Sequence, residues 1–133
     1  MAEFHLQIVT PDRMVFDGPA QRVILRTVTG DVCILAKHID YAAPLGIGVA
    51  RVTDDKGATR VAACSGGMLS VSGGNVRVIA TTFEWADEID AERAAHAQQA
   101  AEEKLRAISR DDVDYALAEA KLKRALIRQQ AKG

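Results

Sequence analysis

The sequence has few cysteines, few aromatic residues and no long apolar run. Its two cysteines, Cys33 and Cys64, form no CxxC pair and have no His-rich neighbourhood, so we expect free thiols and neither a disulfide nor a metal site. No segment approaches the roughly 20 apolar residues that a membrane-spanning helix needs, which predicts no direct membrane insertion. The N-terminal residues also lack the basic and apolar regions of an export signal.

A strong charge of one sign is missing as well. The formal net charge is −1, so no global field attracts nucleic acid, and we expect no nucleic-acid partner. The 48% hydrophobic and 26% charged residues are typical of a globular chain and not of a disordered one. At 133 residues the chain has room for one domain or for two small units that share a surface.

Proline and glycine are absent from most of the second half. All three prolines and nine of the ten glycines lie at or before Gly74, and neither type occurs from residue 75 to residue 132. Glycine and proline mark turns, whereas alanine, the commonest residue of the second half, is the best helix former. This composition predicts two units that meet near residue 85, spanning residues 1–84 and 85–133.

The first unit alternates apolar and polar residues over short segments. Phe4, Leu6 and Ile8 occupy every second position, and Val23 and Leu25 do the same further along. Residues 54–57 (DDKG) and 73–75 (GGN) each separate two such segments and predict hairpin turns. Short strands with turns about every ten residues predict an antiparallel β-sandwich or flattened barrel.

The second unit predicts an antiparallel α-helical hairpin. Three acids, Asp87, Glu88 and Asp90, are expected in the first turn of a helix that runs to about Ile108. Residues 109–112 interrupt the pattern, and either Ser109 or Asp111 can cap a second helix that continues to about Gln130. A link this short predicts that the second helix folds back on the first.

The second helix carries two apolar stripes and a basic end. One stripe contains Val113, Leu117 and Ile127, and the other contains Ala118 and Ala125, on nearly the opposite side. One interpretation is that the two stripes contact the first helix and the β-unit; another is that the helix changes partners. From residue 121 onward the five charged residues are all basic, which suits either the helix dipole or an acidic partner.

Six segments form a pattern that is specific for one protein family when they occur together, in this order and spacing, and are followed by a helical hairpin. They are residues 8–13 (IVTPDR), 16–18 (FDG), 29–38 (TGDVCILAKH), 44–48 (PLGIG), 65–68 (SGGM) and 88–94 (EIDAERA). Together they resemble the epsilon subunit family of bacterial rotary F-type ATP synthases. Cys33 and Ala36 stand where the family commonly has glycine and proline, so the loop from residue 31 to 38 is expected to differ.

The resemblance implies a non-catalytic, central-stalk role at the cytoplasmic face of the plasma membrane, as a peripheral subunit. In the family the sandwich binds the gamma subunit of the rotor shaft and the membrane c-subunit ring. The hairpin either folds on the sandwich or extends into the alpha/beta catalytic head and restrains ATP hydrolysis. The expected contacts with the head are basic residues of the second helix: Lys121, Lys123, Arg124 and Arg128.

The resemblance also implies a regulatory ATP site in the folded hairpin, with no cofactor required. Some bacterial members bind ATP through an Ile/Leu-Asp-x-x-Arg-Ala motif, an upstream acid and two later arginines. The matching residues are Glu84, Ile89, Asp90, Arg93, Ala94, Arg124 and Arg128. Ala100 stands where some ATP-binding members carry a further arginine. The alternative interpretation of the motif is structural, with Asp90 in a first helical turn and Arg93 as its ion-pair partner, about 0.2–0.5 kcal/mol.

Two other functions are compatible with the residues. One is a free-standing nucleotide-sensing protein with the same fold. The other is a small enzyme that uses Cys33 or Cys64, although no nucleophile has a plausible base nearby in the sequence. His5, His38 and His96 share no spacing with acids or cysteines, so no metal ligands are assigned. Trp85, at the junction of the units, is expected to pack the hairpin against the β-unit.

Overall fold

A computed structural model describes residues 2–133 and contains seven strands followed by two helices. The elements are β1 (Phe4–Thr10), β2 (Arg13–Thr27), β3 (Gly30–Leu35), β4 (Tyr41–Pro44), β5 (Ile47–Asp54), β6 (Thr59–Ser72), β7 (Asn75–Trp85), a 3-10 turn (Ala86–Glu88), α1 (Ala91–Ala107) and α2 (Val113–Lys132). The predicted order, a β-sandwich and then a two-helix hairpin, is confirmed.

The strands form one sheet that closes on itself as a flattened barrel. The order is β1-β7-β6-β5-β2-β3, β1 also pairs with β2, and β4 pairs with β6. All pairings are antiparallel except that of β1 with β7, which is parallel. The predicted antiparallel sandwich is therefore confirmed apart from this one pair. One parallel pair is required because the closed ring of β1, β7, β6, β5 and β2 has an odd number of strands, which cannot alternate in direction throughout.

Two strands are longer than the sequence predicted. β2 has 15 residues and β6 has 14, because each changes partners along its length. The first half of β2 pairs with β1 and its second half with β5 and β3, with a register irregularity between Ala20 and Arg22. Residues 30–35, expected as a glycine-rich loop, form β3, in which Cys33 lies opposite Ile24.

The barrel core follows the predicted alternation of the strands. Phe4, Leu6 and Ile8 are buried, while His5 between them is exposed. Trp85 is also part of this core and packs edge-to-face against Phe83, with ring centroids 5.2 Å apart. The core cluster around Trp85 contains no residue of the helical hairpin, and the cluster that joins the hairpin to the barrel does not contain Trp85, so the prediction that Trp85 packs the hairpin against the β-unit is wrong.

Both predicted hairpin turns are present, and one glycine outside them allows a close approach of two strands. Gly73 and Gly74 both have positive φ, as the turn between β6 and β7 requires. Gly67 has φ +112°, and a Cβ built on it would lie 1.9 Å from the carbonyl oxygen of Ile79. Only glycine fits at this crossing of β6 and β7.

The helix caps differ from those predicted. Asp87 and Glu88 belong to the 3-10 turn, and Asp90 is the N-cap of α1, where its Oδ1 accepts a hydrogen bond from the Arg93 backbone N–H at 3.1 Å. Asp112, and neither Ser109 nor Asp111, caps α2 by accepting from the backbone N–H of Asp114 at 2.8 Å. An aspartate N-cap contributes about 1 kcal/mol to helix stability.

The hairpin lies against the barrel through a small contact near one end. α2 contacts β5 and β6, where Ala63, Ile89 and Ala131 form a buried cluster with the half-buried Val49, Val61 and Ile127. The other end of α2 extends beyond this contact, so Val113 is 84% exposed and Leu117 is 61% exposed. Of the first apolar stripe, Ile127 packs against the barrel cluster, whereas Val113 and Leu117 do not belong to it. Ala118 and Ala125 of the second stripe are buried and α2 packs against α1, which agrees with the interpretation that one stripe meets the first helix.

Candidate functional site

A cleft of about 170 Å³ lies where the last strand, the 3-10 turn and the ends of the two helices meet. It is lined by Glu84, Glu88, Ile89, Asp90, Arg93, Ala94 and Arg128. Six of the seven residues predicted to bind a nucleotide are in this lining. The antiparallel hairpin brings them together because it places the start of α1 beside the end of α2.

Arg124 is the predicted residue that does not line the cleft. It lines an adjoining groove of about 440 Å³ between α1 and α2, together with Arg93, Lys121 and Arg128. Arg93 and Arg128 line both cavities, so the cleft and the groove adjoin at these two side chains. Each of the seven predicted residues thus borders at least one of two adjoining cavities.

Glu84 and Arg128 form the ion pair that joins α2 to the barrel. The Arg128 Nε donates to the Glu84 Oε1 at 2.6 Å, and each side chain is about one third exposed, at 33% and 32%. Within residues 2–133 no other ion pair links α2 to a strand. Hydrogen bonds between charged groups contribute about 1.5–3 kcal/mol when partly buried.

Glu88, which the sequence pattern did not assign to the site, is clamped by Arg13 of β2. Arg13 donates to both carboxylate oxygens of Glu88, at 3.0 and 3.2 Å, and to the carbonyl oxygen of Phe83 at 3.4 Å. This bond lowers the pKa of Glu88, as does a hydrogen bond from the backbone N–H of Trp85. The clamp fixes the 3-10 turn to the barrel and forms one wall of the cleft.

Asp90 is occupied by its cap and makes no ion pair with Arg93 among the described residues. The predicted ion pair is therefore absent, because Asp90 accepts from the Arg93 backbone N–H instead of the Arg93 guanidinium. The structural interpretation of the motif stays open, since the cap is itself a structural contact. Ile89 and Ala94, 4% and 1% exposed, form the apolar part of the cleft wall.

The two cavities differ in charge. The cleft is lined by the three carboxylates of Glu84, Glu88 and Asp90 and by two arginines, whereas no acid lines the groove. Carboxylates accept hydrogen bonds from amino and hydroxyl groups, and guanidinium groups bind phosphate oxygens. The cleft therefore presents acceptors to amino and hydroxyl groups, and the groove presents cations to anionic oxygens. The cleft alone is smaller than the roughly 300 Å³ at which ligand pockets begin.

The two thiols lie in different environments, and neither joins a metal-binding cluster in the described part of the chain. Cys64 is buried in the barrel core, and this burial raises its pKa to about 12, which leaves it without thiolate at neutral pH. Cys33 is exposed on β3, in the sheet opposite Ile24. No group of three or more His, Cys, Asp or Glu residues that could hold a metal ion occurs in residues 2–133.

Neither helix of residues 2–133 is both long enough and apolar enough to cross a membrane.

Fold and cavity define a class of protein, a closed β-barrel with a helical hairpin folded on its side and a charged cavity where the two meet. Family models describe this arrangement in two parts. The beta-sandwich domain of the ATP synthase delta/epsilon chain matches residues 3–86, and the long alpha-helix domain of the same chain matches residues 87–133. The chain therefore belongs to the ATP synthase delta/epsilon chain family.

Individual relatives agree with this assignment. The ATP synthase epsilon chain of Bacillus velezensis is 42% identical, over 100% of this chain and 99% of the relative. The ATP synthase epsilon chain of Exiguobacterium is 38% identical, over 96% of this chain and 94% of the relative. A chain in the cryo-EM structure of Euglena gracilis mitochondrial ATP synthase (OSCP/F1/c-ring, rotational state 1) has the same fold, with a TM-score of 0.87 and 24% identity over 100% of this chain and 83% of that one.

Proposed function

We propose that this chain is a non-catalytic rotor subunit of a proton-translocating F-type ATP synthase. In this role it couples rotation of the membrane ring to ATP synthesis in the catalytic head, and its hairpin restrains ATP hydrolysis. Membership in the epsilon-chain family supports the proposal, as does the near-complete coverage of bacterial relatives that carry this name. The location that follows is peripheral, at the cytoplasmic face of the bacterial plasma membrane.

The observation that carries the regulatory role is the small contact between hairpin and barrel. One three-residue buried cluster and one ion pair, Glu84–Arg128, hold α2 at its C-terminal end. The N-terminal half of α2 presents Val113 and Leu117 to solvent, although apolar side chains of this size gain about 1.5–3 kcal/mol when fully buried. A helix held at one end, with an unused apolar stripe, is suited to leaving the barrel for another partner.

The proposed contacts follow the division of the chain. The barrel, residues 1–84, binds the gamma subunit and the c-subunit ring, and residues 85–133 form the regulatory hairpin. Lys121, Lys123, Arg124 and Arg128 meet acidic surface on the alpha/beta head when the hairpin extends. Complementary charge of this kind strengthens association most at low ionic strength.

ATP is the proposed regulatory ligand, held by Glu84, Ile89, Asp90, Arg93, Ala94, Arg124 and Arg128 in the folded hairpin. A ligand that binds only the folded form stabilises it by about 2.7 kcal/mol at 100 times its dissociation constant. With Ala100 in place of an arginine, we expect an affinity in the millimolar range, about −4 kcal/mol. ATP would therefore favour the folded hairpin when it is abundant and release inhibition of the head.

The rotor proposal is tested by adding the purified chain to the catalytic head with its gamma subunit and measuring ATP hydrolysis. We expect the full chain to lower the rate, and a chain shortened to residues 1–88 to bind without lowering it. Lys121→Gln with Lys123→Gln should relieve inhibition in part, because neither lysine takes part in the Glu84–Arg128 pair. The matched control is Arg106→Gln with Arg110→Gln, which removes the same amount of positive charge from α1 and from the link between the helices. If the full and shortened chains inhibit equally, the hairpin has no regulatory role here.

The nucleotide proposal is tested by isothermal titration of the full chain with ATP. Arg93→Ala and Arg124→Ala should each weaken binding, since these guanidinium groups make no ion pair within residues 2–133 and are available to phosphate. Arg106→Ala, outside both cavities, should leave it unchanged. Absence of heat at several millimolar ATP would mean that the motif serves the helix cap alone.

A free-standing nucleotide sensor is the second candidate, and one observation favours it. All the predicted binding residues border a cavity made by this one chain, so nucleotide binding needs no partner. The two candidates differ in their effect on the catalytic head. A chain that binds ATP but does not associate with gamma subunit or head would support the sensor.

A further inference from the structure

The groove between α1 and α2 is a cationic channel along the hairpin. Five basic side chains line it, and its remaining lining is alanine: Arg93, Lys104, Lys121, Arg124 and Arg128, with Ala97, Ala100, Ala101 and Ala118. Its volume is about 440 Å³, more than twice that of the cleft beside it. The small alanine side chains leave the space between the two helices open along the groove.

Four of the five cations lack an acidic partner. Arg128 pairs with Glu84, but Arg93, Lys104, Lys121 and Arg124 make no ion pair within residues 2–133. Like charges that face one another destabilise a folded unit, and the hairpin contains acids that could have relieved this repulsion. None of those acids lines the groove. The groove therefore presents four cations that no acid of the described residues neutralises.

The cations are arranged in two rows along the groove and not around one point. Arg93 and Lys104 are eleven residues apart on α1, about 16 Å at the helical rise of 1.5 Å per residue. Lys121 and Arg128 are seven residues apart on α2, about 10 Å. A hydrogen bond from the Gln129 Nε2 to the Gln98 Oε1, at 2.5 Å, fixes the register of the two helices. Two facing rows of positive charge fit an elongated anion better than a compact one.

We propose that this groove is a site for a linear chain of phosphates, and that Lys104 and Lys121 hold the end of that chain remote from Glu84. The two lysines add positive charge further along the groove, on the same lining as Ala100. Lysine binds phosphate as a mobile point charge, which suits the end of a flexible chain. The site consequently discriminates by the number of linked phosphates. The inference rests on the proposed nucleotide site for the three arginines they share, but the lysines act on phosphate alone.

The test compares phosphate ligands of different length on the full chain at low ionic strength, where screening is weakest. Isothermal titration is performed with inorganic tripolyphosphate, ATP, AMP and orthophosphate. Lys104→Gln with Lys121→Gln should weaken tripolyphosphate binding about five- to tenfold, as expected for two solvent-exposed charge contacts. The same pair should weaken ATP binding, and AMP should bind no better to the parent than to the variant.

The matched control is Lys56→Gln with Arg106→Gln, which changes the net charge equally outside the groove. Equal circular dichroism and melting temperature for both variants exclude misfolding. Tripolyphosphate binding that depends on the lysines supports the inference even if ATP does not bind, in which case the nucleotide function fails alone. If tripolyphosphate and ATP both bind but neither depends on the lysines, the inference is overturned and the nucleotide function stays intact. Equal losses in the two variants, or no tripolyphosphate binding, also overturn it.

Discussion

Replacement of Glu84 by glutamine should release the hairpin from the barrel. Glu84→Gln keeps the shape of the side chain but removes the charge that faces Arg128 at 2.6 Å. The rest of the contact is the cluster of Ala63, Ile89 and Ala131, which remains unchanged. Loss of one partly buried charged hydrogen bond costs about 1.5 kcal/mol, so the ratio of docked to undocked hairpin should fall about tenfold.

Thiol labelling at position 63 measures this equilibrium. Ala63 is 6% exposed beneath the hairpin, so a cysteine placed there reacts only when the hairpin has left. Cys33→Ser removes the exposed native thiol, and Cys64 stays unreactive because burial raises its pKa to about 12. In this background the labelling rate should rise about tenfold in Glu84→Gln.

Glu103→Gln is the matched control, because Glu103 is exposed on α1 and lines neither cavity. The shortened chain of residues 1–88 gives the rate for a fully accessible position 63. If Glu84→Gln and Glu103→Gln label at the same rate, the ion pair does not hold the hairpin. The reasoning that α2 is attached at one end by this pair would then be refuted.

Three further predictions concern the barrel and its junction. A chain shortened to residues 1–88 should stay folded, with strand-type circular dichroism, because it retains Trp85 and the whole closed sheet; a disordered spectrum would refute the two-unit division. Gly67→Ala should lower the free energy of unfolding by about 3 kcal/mol or more in chemical denaturation, because the φ of Gly67 is +112° and a Cβ there would meet the Ile79 carbonyl. Gly57→Ala, at a turn with open space around it, should lower the free energy of unfolding by less. The pKa of Glu88 is lowered in the folded chain, so the stability that the bond to Arg13 contributes is present above the ordinary pKa of 4.5 and is lost as the pH falls through the folded pKa. The melting temperatures of the parent and Glu88→Gln should therefore differ at pH 7 and converge in acid. An equal difference at every pH would refute the clamp.

Local patterns were sufficient to predict the strands, the turns and the change to helix. Alternation identifies Phe4, Leu6 and Ile8 as core residues because one face of each strand is buried. The convergence of Asp90 and Arg93 with Arg128 was also predictable, since an antiparallel hairpin places the start of one helix beside the end of the other. That these converging residues bind ATP stays a proposal.

Features that depend on distant partners could not be predicted. Arg13 and Glu88 are separated by 75 positions, and nothing near either residue indicates the other. The parallel pairing of β1 with β7 is equally remote from any local signal. The prediction of the α2 cap failed for a different reason. Ser109, Asp111 and Asp112 are all residue types that cap helices well, and the path of the turn decides that Asp112 is used.

The parallel pairing of β1 with β7 also determines when the barrel can close as the chain emerges from a ribosome. β1 is made before its second neighbour, β7, whose residues 75–79 pair with it. Until those residues are available, β1 can pair only with β2 and leaves an edge without its partner. The helical hairpin needs contacts only between segments adjacent in sequence, which form fast. The hairpin is thus free to assemble as soon as it is made, while β1 waits for a partner about 70 residues further along the chain.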